Sequence, residues 1–134
     1  MLIYKYRAFR QWAKSEKLSD SALNKAVNEM QEGLFDANLG GGLYKKRVAK
    51  KGKGKSGGYR TILAFKHDNR AVFMYGFAKN QKDNLTSKEE DVYKLLAKQF
   101  LSMTNQQIAI LIKNGELFEV RYEEIKDDKK AKKS

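Results

Sequence analysis

Two β-rich runs, Tyr59 to Lys66 and Ala71 to Ala78, are parted by only the short His67-Asp68-Asn69 segment. A connection that short can join neighbouring strands only as an antiparallel hairpin. Facing Lys66 with Arg70 across the turn sets Phe65 beside Ala71, Leu63 beside Phe73 and Thr61 beside Tyr75, a bulky row suited to helix packing. The other face then carries Arg60, Ile62, Ala64, Val72, Met74 and Gly76, with Arg60 opposite the bare Gly76. A third strand, Leu43 to Ala49, precedes them after the run Gly40-Gly41-Gly42.

The flanks have helical period. Phe9, Trp12 and Ala13 recur at helical spacing; Ser19 then precedes Leu23, Ala26, Val27 and Met30, which share one face of a second helix that Gly33 ends. Downstream, Thr86 and Glu89 form a capping box ahead of Val92, Leu95, Leu96 and Phe100. Thr104 and Gln107 repeat that signature before Ile108, Leu111 and Ile112, and Gly115 closes the helix before a strand from Glu116 to Tyr122. The reading is an α+β fold: a small antiparallel β-sheet with N-terminal helices packed on one face and additional C-terminal helices. At 134 residues the chain supports one core, hence one domain over residues 1–122, and the charged tail 123–134 is expected to be disordered.

Charge is concentrated. From Tyr44 to Lys82 there are 12 Lys or Arg residues against Asp68 alone, so this segment carries +11 of the chain's +12. A localised patch of this kind implies a polyanionic target. With no cysteine there is neither a disulfide nor a thiolate site, and Asp68 as the patch's single carboxylate leaves a metal without ligands. The N-terminus lacks a signal-peptide core, and the longest apolar stretch, Ala71 to Ala78, is far short of the ~20 residues a membrane helix needs. A cytoplasmic protein that uses no metal or cofactor and no membrane is expected.

The segment KKGKGKSGGYRTILAF, from Lys50 to Phe65, combines glycines that let backbone N–H groups approach an oxyanion with Lys53, Lys55 and Arg60. Arginine adds a planar fork that matches phosphate oxygens. A nucleotide-binding P-loop is excluded: Ala49 stands where its first glycine belongs, and a strand follows where a helix is required. His67, the single histidine, falls in the turn, so a two-histidine ribonuclease mechanism is ruled out.

Four separated motifs then occur in order: LGGGLYKKRV from Leu39, GKSGGYR from Gly54, YGFAKNQKDNLTSKE from Tyr75 and GELFEV from Gly115. Together they make the chain, over roughly Met1 to Val120, resemble the RelE/HigB superfamily of type II toxin-antitoxin toxins. The resemblance implies a small antiparallel sheet with N-terminal helices on one face and a concave, basic active face on the other. It implies a metal-independent endoribonuclease that enters the ribosomal A site and cuts mRNA, arresting translation until a cognate antitoxin covers it in a toxin-antitoxin hetero-oligomer. By motif, Arg60 matches the arginine that stabilises the transition state, and Lys51 and Lys53 match a pair of basic residues before it.

Lys53 or Lys55 would serve as base, because neighbouring cations favour a neutral amine. Lys79 and Lys82 stand near the family's further basic residue, whose own position is Asn80, and no terminal tyrosine or histidine follows Leu85 as general acid. Lys79, Tyr59 or Tyr75 would have to substitute. The expected RNA-binding set is Tyr44, Lys45, Lys46, Arg47, Lys50, Lys51, Tyr59, Tyr75 and Lys82, with Tyr44 the leading base-stacking candidate. Two other readings stay open at this point: a ParE-like toxin inhibiting DNA gyrase, and a noncatalytic RNA- or DNA-binding module.

Overall fold

The structure is a computed structural model that describes residues 1–50, 54–78 and 85–121, and the side chains of all of these but 54–57. The elements in chain order are β1 (Leu2–Tyr6), α1 (Arg7–Ser15), α2 (Asp20–Gln31), β2 (Ala37–Gly40), β3 (Leu43–Lys50), β4 (Gly54–Lys66), β5 (Arg70–Ala78), α3 (Ser87–Ser102), α4 (Asn105–Lys113) and β6 (Leu117–Glu119). They form one six-stranded sheet in the order β2-β3-β4-β5-β1-β6. The α+β class read from the sequence is the one observed. The sheet is not purely antiparallel, however, because β1 enters between β5 and β6 and runs parallel to β5. The tail residues 122–134 lie outside the described residues. Among the described helices none is long and apolar enough to cross a membrane.

Helices cover both faces. On one, Phe9 and Ala13 of α1 and Leu23, Ala26, Val27 and Met30 of α2 pack with Leu63, Phe65, Ala71 and Phe73, the bulky row expected from the hairpin. On the other, Ala97 and Phe100 of α3 and Ile108 of α4 pack with Leu43, Ile62, Ala64, Val72 and Met74. The face that the family resemblance left open is therefore partly roofed. Both capping boxes form as the sequence indicated, at Thr86 and at Thr104. The phase of α3 differs: Val92 and Leu95 are exposed, and Tyr93, Ala97 and Phe100 turn to the sheet.

The hairpin keeps the expected register from Lys66↔Arg70 to Leu63↔Phe73 and then shifts, pairing Ile62 with Tyr75, Thr61 with Gly76 and Arg60 with Phe77. Met74 is the extra residue of a β-bulge, which reverses the side of everything after it. Arg60 thus faces Phe77, not Gly76, and Tyr75 moves to Arg60's face. Gly76 is turned to the N-terminal helices, where any Cβ would run into the ring of Trp12.

Two cations of the basic segment are internal struts. Arg70 is 5% exposed and donates from Nη1 to the carbonyls of Phe100 (2.6 Å) and Met103 (2.9 Å) and from Nη2 to Oδ1 of Asn105 (3.1 Å). It satisfies carbonyls that the end of α3 leaves without helical partners, and its charge suits the negative end of the helix dipole. Lys46 is 3% exposed, paired with Glu29 of α2 at 2.8 Å and donating to the Leu34 carbonyl at 2.9 Å.

The contact beneath Trp12 makes a specific demand on the bulge. Gly76→Ala should destabilise the fold by about 1–3 kcal/mol through overpacking, read as a lower urea midpoint at unchanged slope. An unchanged midpoint would mean that Trp12 yields without cost.

Candidate nucleic-acid interface

Side chains directly opposite on neighbouring strands share a face. The register therefore builds rows across β3, β4 and β5 on the side of α3: Arg47, Arg60 and Phe77 in one, Lys45, Ile62 and Tyr75 in the next. The α3 core covers Leu43, Ala64 and Val72 further along the same face. Arg47 and Arg60 lie at the far end, where β3 and β4 run out toward the glycine-rich arm.

Two like charges side by side repel, and the chain treats them differently. Arg47 has a partner: its Nε lies 3.3 Å from Oδ1 of Asp36, and its backbone N–H donates to Oδ2 at 2.6 Å. Arg60 has none, for its Nη1 is buried without a hydrogen-bond partner, and it makes no ion pair among the described residues. Leaving a charged donor unsatisfied costs about 1–3 kcal/mol or more. A half-buried guanidinium held in that state, beside a second arginine fixed by its own acid, is a prepared site for an anion.

Aromatic rings extend the site along β5. Tyr75 lies 5.8 Å from Phe77 and 5.8 Å from Tyr93, measured between ring centres. Tyr93 comes from α3 and was missed in the sequence, where the more apolar Val92 and Leu95 drew attention. Its signal was the spacing Tyr93, Ala97, Phe100, one face of a helix. Burial raises the Tyr93 hydroxyl above its ordinary value of 10.0, with smaller contributions from Tyr75, Glu89 and Tyr6. At neutral pH it stays a hydrogen-bond donor.

The remaining sequence candidates divide. Lys45, Arg47, Arg60 and Tyr75 share the α3 side of the sheet. Alternation along β3 and β4 sends Tyr44, Lys46 and Tyr59 to the opposite side. There Tyr44 is wedged edge-on between Phe35 (5.0 Å) and Phe65 (5.6 Å). Tyr59 is buried against Trp12 and donates from its hydroxyl to the Glu16 carbonyl at 3.0 Å. Lys50 follows it, with Nζ 5.6 Å from the Tyr59 ring centre. His67 sits in the exposed turn, its Nε2 3.1 Å from the Gln31 carbonyl. Lys51, Lys53, Lys79 and Lys82 lie outside the described residues, as does the side chain of Lys55.

Comparison with known families adds one finding. A family model described as the RelE toxin of the RelE / RelB toxin-antitoxin system matches residues 1–120. No curated protein matches the chain at a significant level.

An arginine maintained at the expense of the fold should reveal itself when removed. Arg60→Met, which keeps the stem and deletes the unsatisfied fork, should leave stability equal or raise it by about 1 kcal/mol in urea unfolding. A loss above about 2 kcal/mol would show that Arg60 is a structural strut like Arg70.

Proposed function

The chain belongs to the RelE toxin family, the toxin side of a toxin-antitoxin system, and from that premise we propose that it is a metal-independent endoribonuclease that cuts messenger RNA on the ribosome and so halts translation. The observation that carries the reading is Arg60, unpartnered and part-buried beside Arg47 on an otherwise covered sheet. A nuclease that uses neither metal nor histidine must stabilise the pentavalent phosphorane with fixed cations, and a preset arginine fork suits that task.

In the reaction a base takes the proton of a ribose 2′-OH, the 2′-oxygen bonds to the adjacent phosphorus, and the P–O5′ bond breaks. The leaving 5′-oxygen gains a proton, and a 2′,3′-cyclic phosphate remains. Arg60 clamps the non-bridging oxygens as negative charge accumulates. Lys53 or Lys55 removes the first proton and Lys79 supplies the second. Arg47, Lys45, Lys51 and Lys82 hold neighbouring phosphates. Tyr75 offers a ring to a splayed base, with Tyr93 backing it. The family implies an antitoxin partner. In this reading it shields the basic face in a hetero-oligomer within the cytoplasm.

The test is induction in cells with mapping of mRNA 5′ ends. Cuts in phase with codons are expected from the parent protein. Arg60→Met should abolish growth arrest, with cleavage down about 10²–10³-fold, and Arg60→Lys should recover only a small part, because charge returns without the fork. A fully toxic Arg60→Met would defeat the assignment. Supercoiling defects without RNA cuts would favour a gyrase poison.

A further inference from the structure

On the α1–α2 side of the sheet, away from Arg60, a cleft of about 750 Å³ opens between the α1–α2 turn and the ends of β3 and β4. Its walls bring together Lys17 from the turn, Lys25 from α2 and Lys50 from β3, against Glu16 as the one acid among the described lining residues. Lys25 and Lys17 lie outside the basic segment read from the sequence, and the fold carries them to it. None of the three makes an ion pair among the described residues, whereas Lys5 and Lys46, which face the helices nearby, are each held at a carboxylate.

Lys17 carries a second, independent mark. It occupies the left-handed region at φ 59, in a turn where its N–H donates to the Lys14 carbonyl and that of Leu18 to the Ala13 carbonyl. The same closure ends α2, through Gly33 to Met30 and Leu34 to Glu29, and ends α4, through Gly115 to Ile112 and Glu116 to Leu111. In those two the left-handed residue is glycine, at φ 86 and φ 75. Glycine is favoured there because a Cβ crowds the backbone. Of three equivalent helix ends, only the one that lines the cleft bears a lysine in glycine's place.

We propose that this cleft binds the phosphodiester backbone of an RNA strand through Lys17, Lys25 and Lys50, as a contact separate from the cutting site. It rests on the reading of the chain as an RNA-directed toxin. Strand β2 pairs β3 only from Leu43 to Lys45, so the far end of β3 is an edge of the sheet, and a strand leaving the Arg60 face can round it and keep its phosphates near the three lysines. Lys17 brings an ammonium group to the cleft at the cost of backbone strain, which a glycine would relieve without supplying the charge. The same chemistry recognises messenger or ribosomal RNA, and the assay separates the two.

The experiment uses the full chain with a labelled 2′-O-methyl RNA of roughly 20 nucleotides, which 2′-OH attack cannot cut, in anisotropy titrations across a salt series. Co-sedimentation with purified ribosomes runs in parallel. Lys17→Gly should raise Tm and weaken binding together, a combination that a purely structural residue does not produce. With Lys25→Gln added, Kd should rise about tenfold and the salt slope should fall by about 0.7 for each phosphate no longer neutralised. Weaker binding to the oligonucleotide and ribosomes alike supports a general strand contact, and weaker binding to ribosomes alone supports ribosomal RNA. Unchanged affinity and slope in both assays, with Tm raised, overturns the proposal. It also fails if the variants lose affinity only for a poly-glutamate probe, which would indicate an acidic protein partner. Arg60→Met keeps the two failures apart: it should stop cleavage while leaving the cleft's share of the slope, and a parent protein that binds no RNA would sink the functional reading itself.

Discussion

Strands β4 and β5 are covered on both faces over most of their described length. From Tyr59 to Phe65 and from Arg70 to Met74 every residue but Arg60 is buried, because α1 and α2 lie on one side and α3 and α4 on the other. A polar group placed there loses water and must find a partner. Thr61 donates to the Lys46 carbonyl at 2.8 Å, Lys46 reaches Glu29, and Arg70 closes the end of α3. Arg70 meets that requirement at both Nη atoms and leaves only its Nε without a partner, whereas Arg60 has a buried Nη1 and no hydrogen bond or ion pair among the described residues. Violations of this kind persist where function maintains them.

The covering helices also decide the character of the site. Roofing by α3 stops short of the Arg47–Arg60 row, so the cations stand at the edge of a low-dielectric region instead of on an open sheet. Charge interactions strengthen in such surroundings and screening by salt weakens. The α3 helix supplies Tyr93 at the same boundary, placing an aromatic surface next to the charge. Instead of burying the candidate face, this packing builds one wall of it.

Features resting on local chemistry were legible in the sequence. The His67-Asp68-Asn69 turn, the two capping boxes and the glycine stops are each determined within a few residues, and each appears where expected. Features resting on distant partners were not. Strand β1 is five residues that pass into α1 with no turn between them, and its neighbour β5 begins at Arg70, so nothing local announces it. The bulge at Met74 turns Gly76 beneath the Trp12 ring, a contact made across the core. A one-residue slip reverses every later side chain, which is why the neighbour of Arg60 and the face of Tyr75 changed together. In α3, Val92 and Leu95 outrank Tyr93 and Ala97 in hydrophobicity, yet the smaller Ala97 is the one at the sheet. Part of the candidate site, including Lys53 and Lys79, falls outside the described residues and stays a reading of motif.

Counting charge along the chain overstated one surface and missed another, for one physical reason. A cation held against a carboxylate, such as Lys46 at Glu29, contributes little net field beyond its immediate surroundings. Arg70 has no acid, but it is enclosed among the carbonyls at the end of α3 and offers nothing for a ligand to touch. The basic segment is therefore less available than its composition implies. Lys17 and Lys25, in a stretch whose charges nearly balance, make no ion pair among the described residues, where Asp20 serves Lys5 and Glu29 serves Lys46. Two acids engaged in holding the fold together leave neighbouring lysines without a described partner, and this division of labour places positive charge on both faces of the sheet, at Arg47 and Arg60 on one and at Lys17, Lys25 and Lys50 on the other.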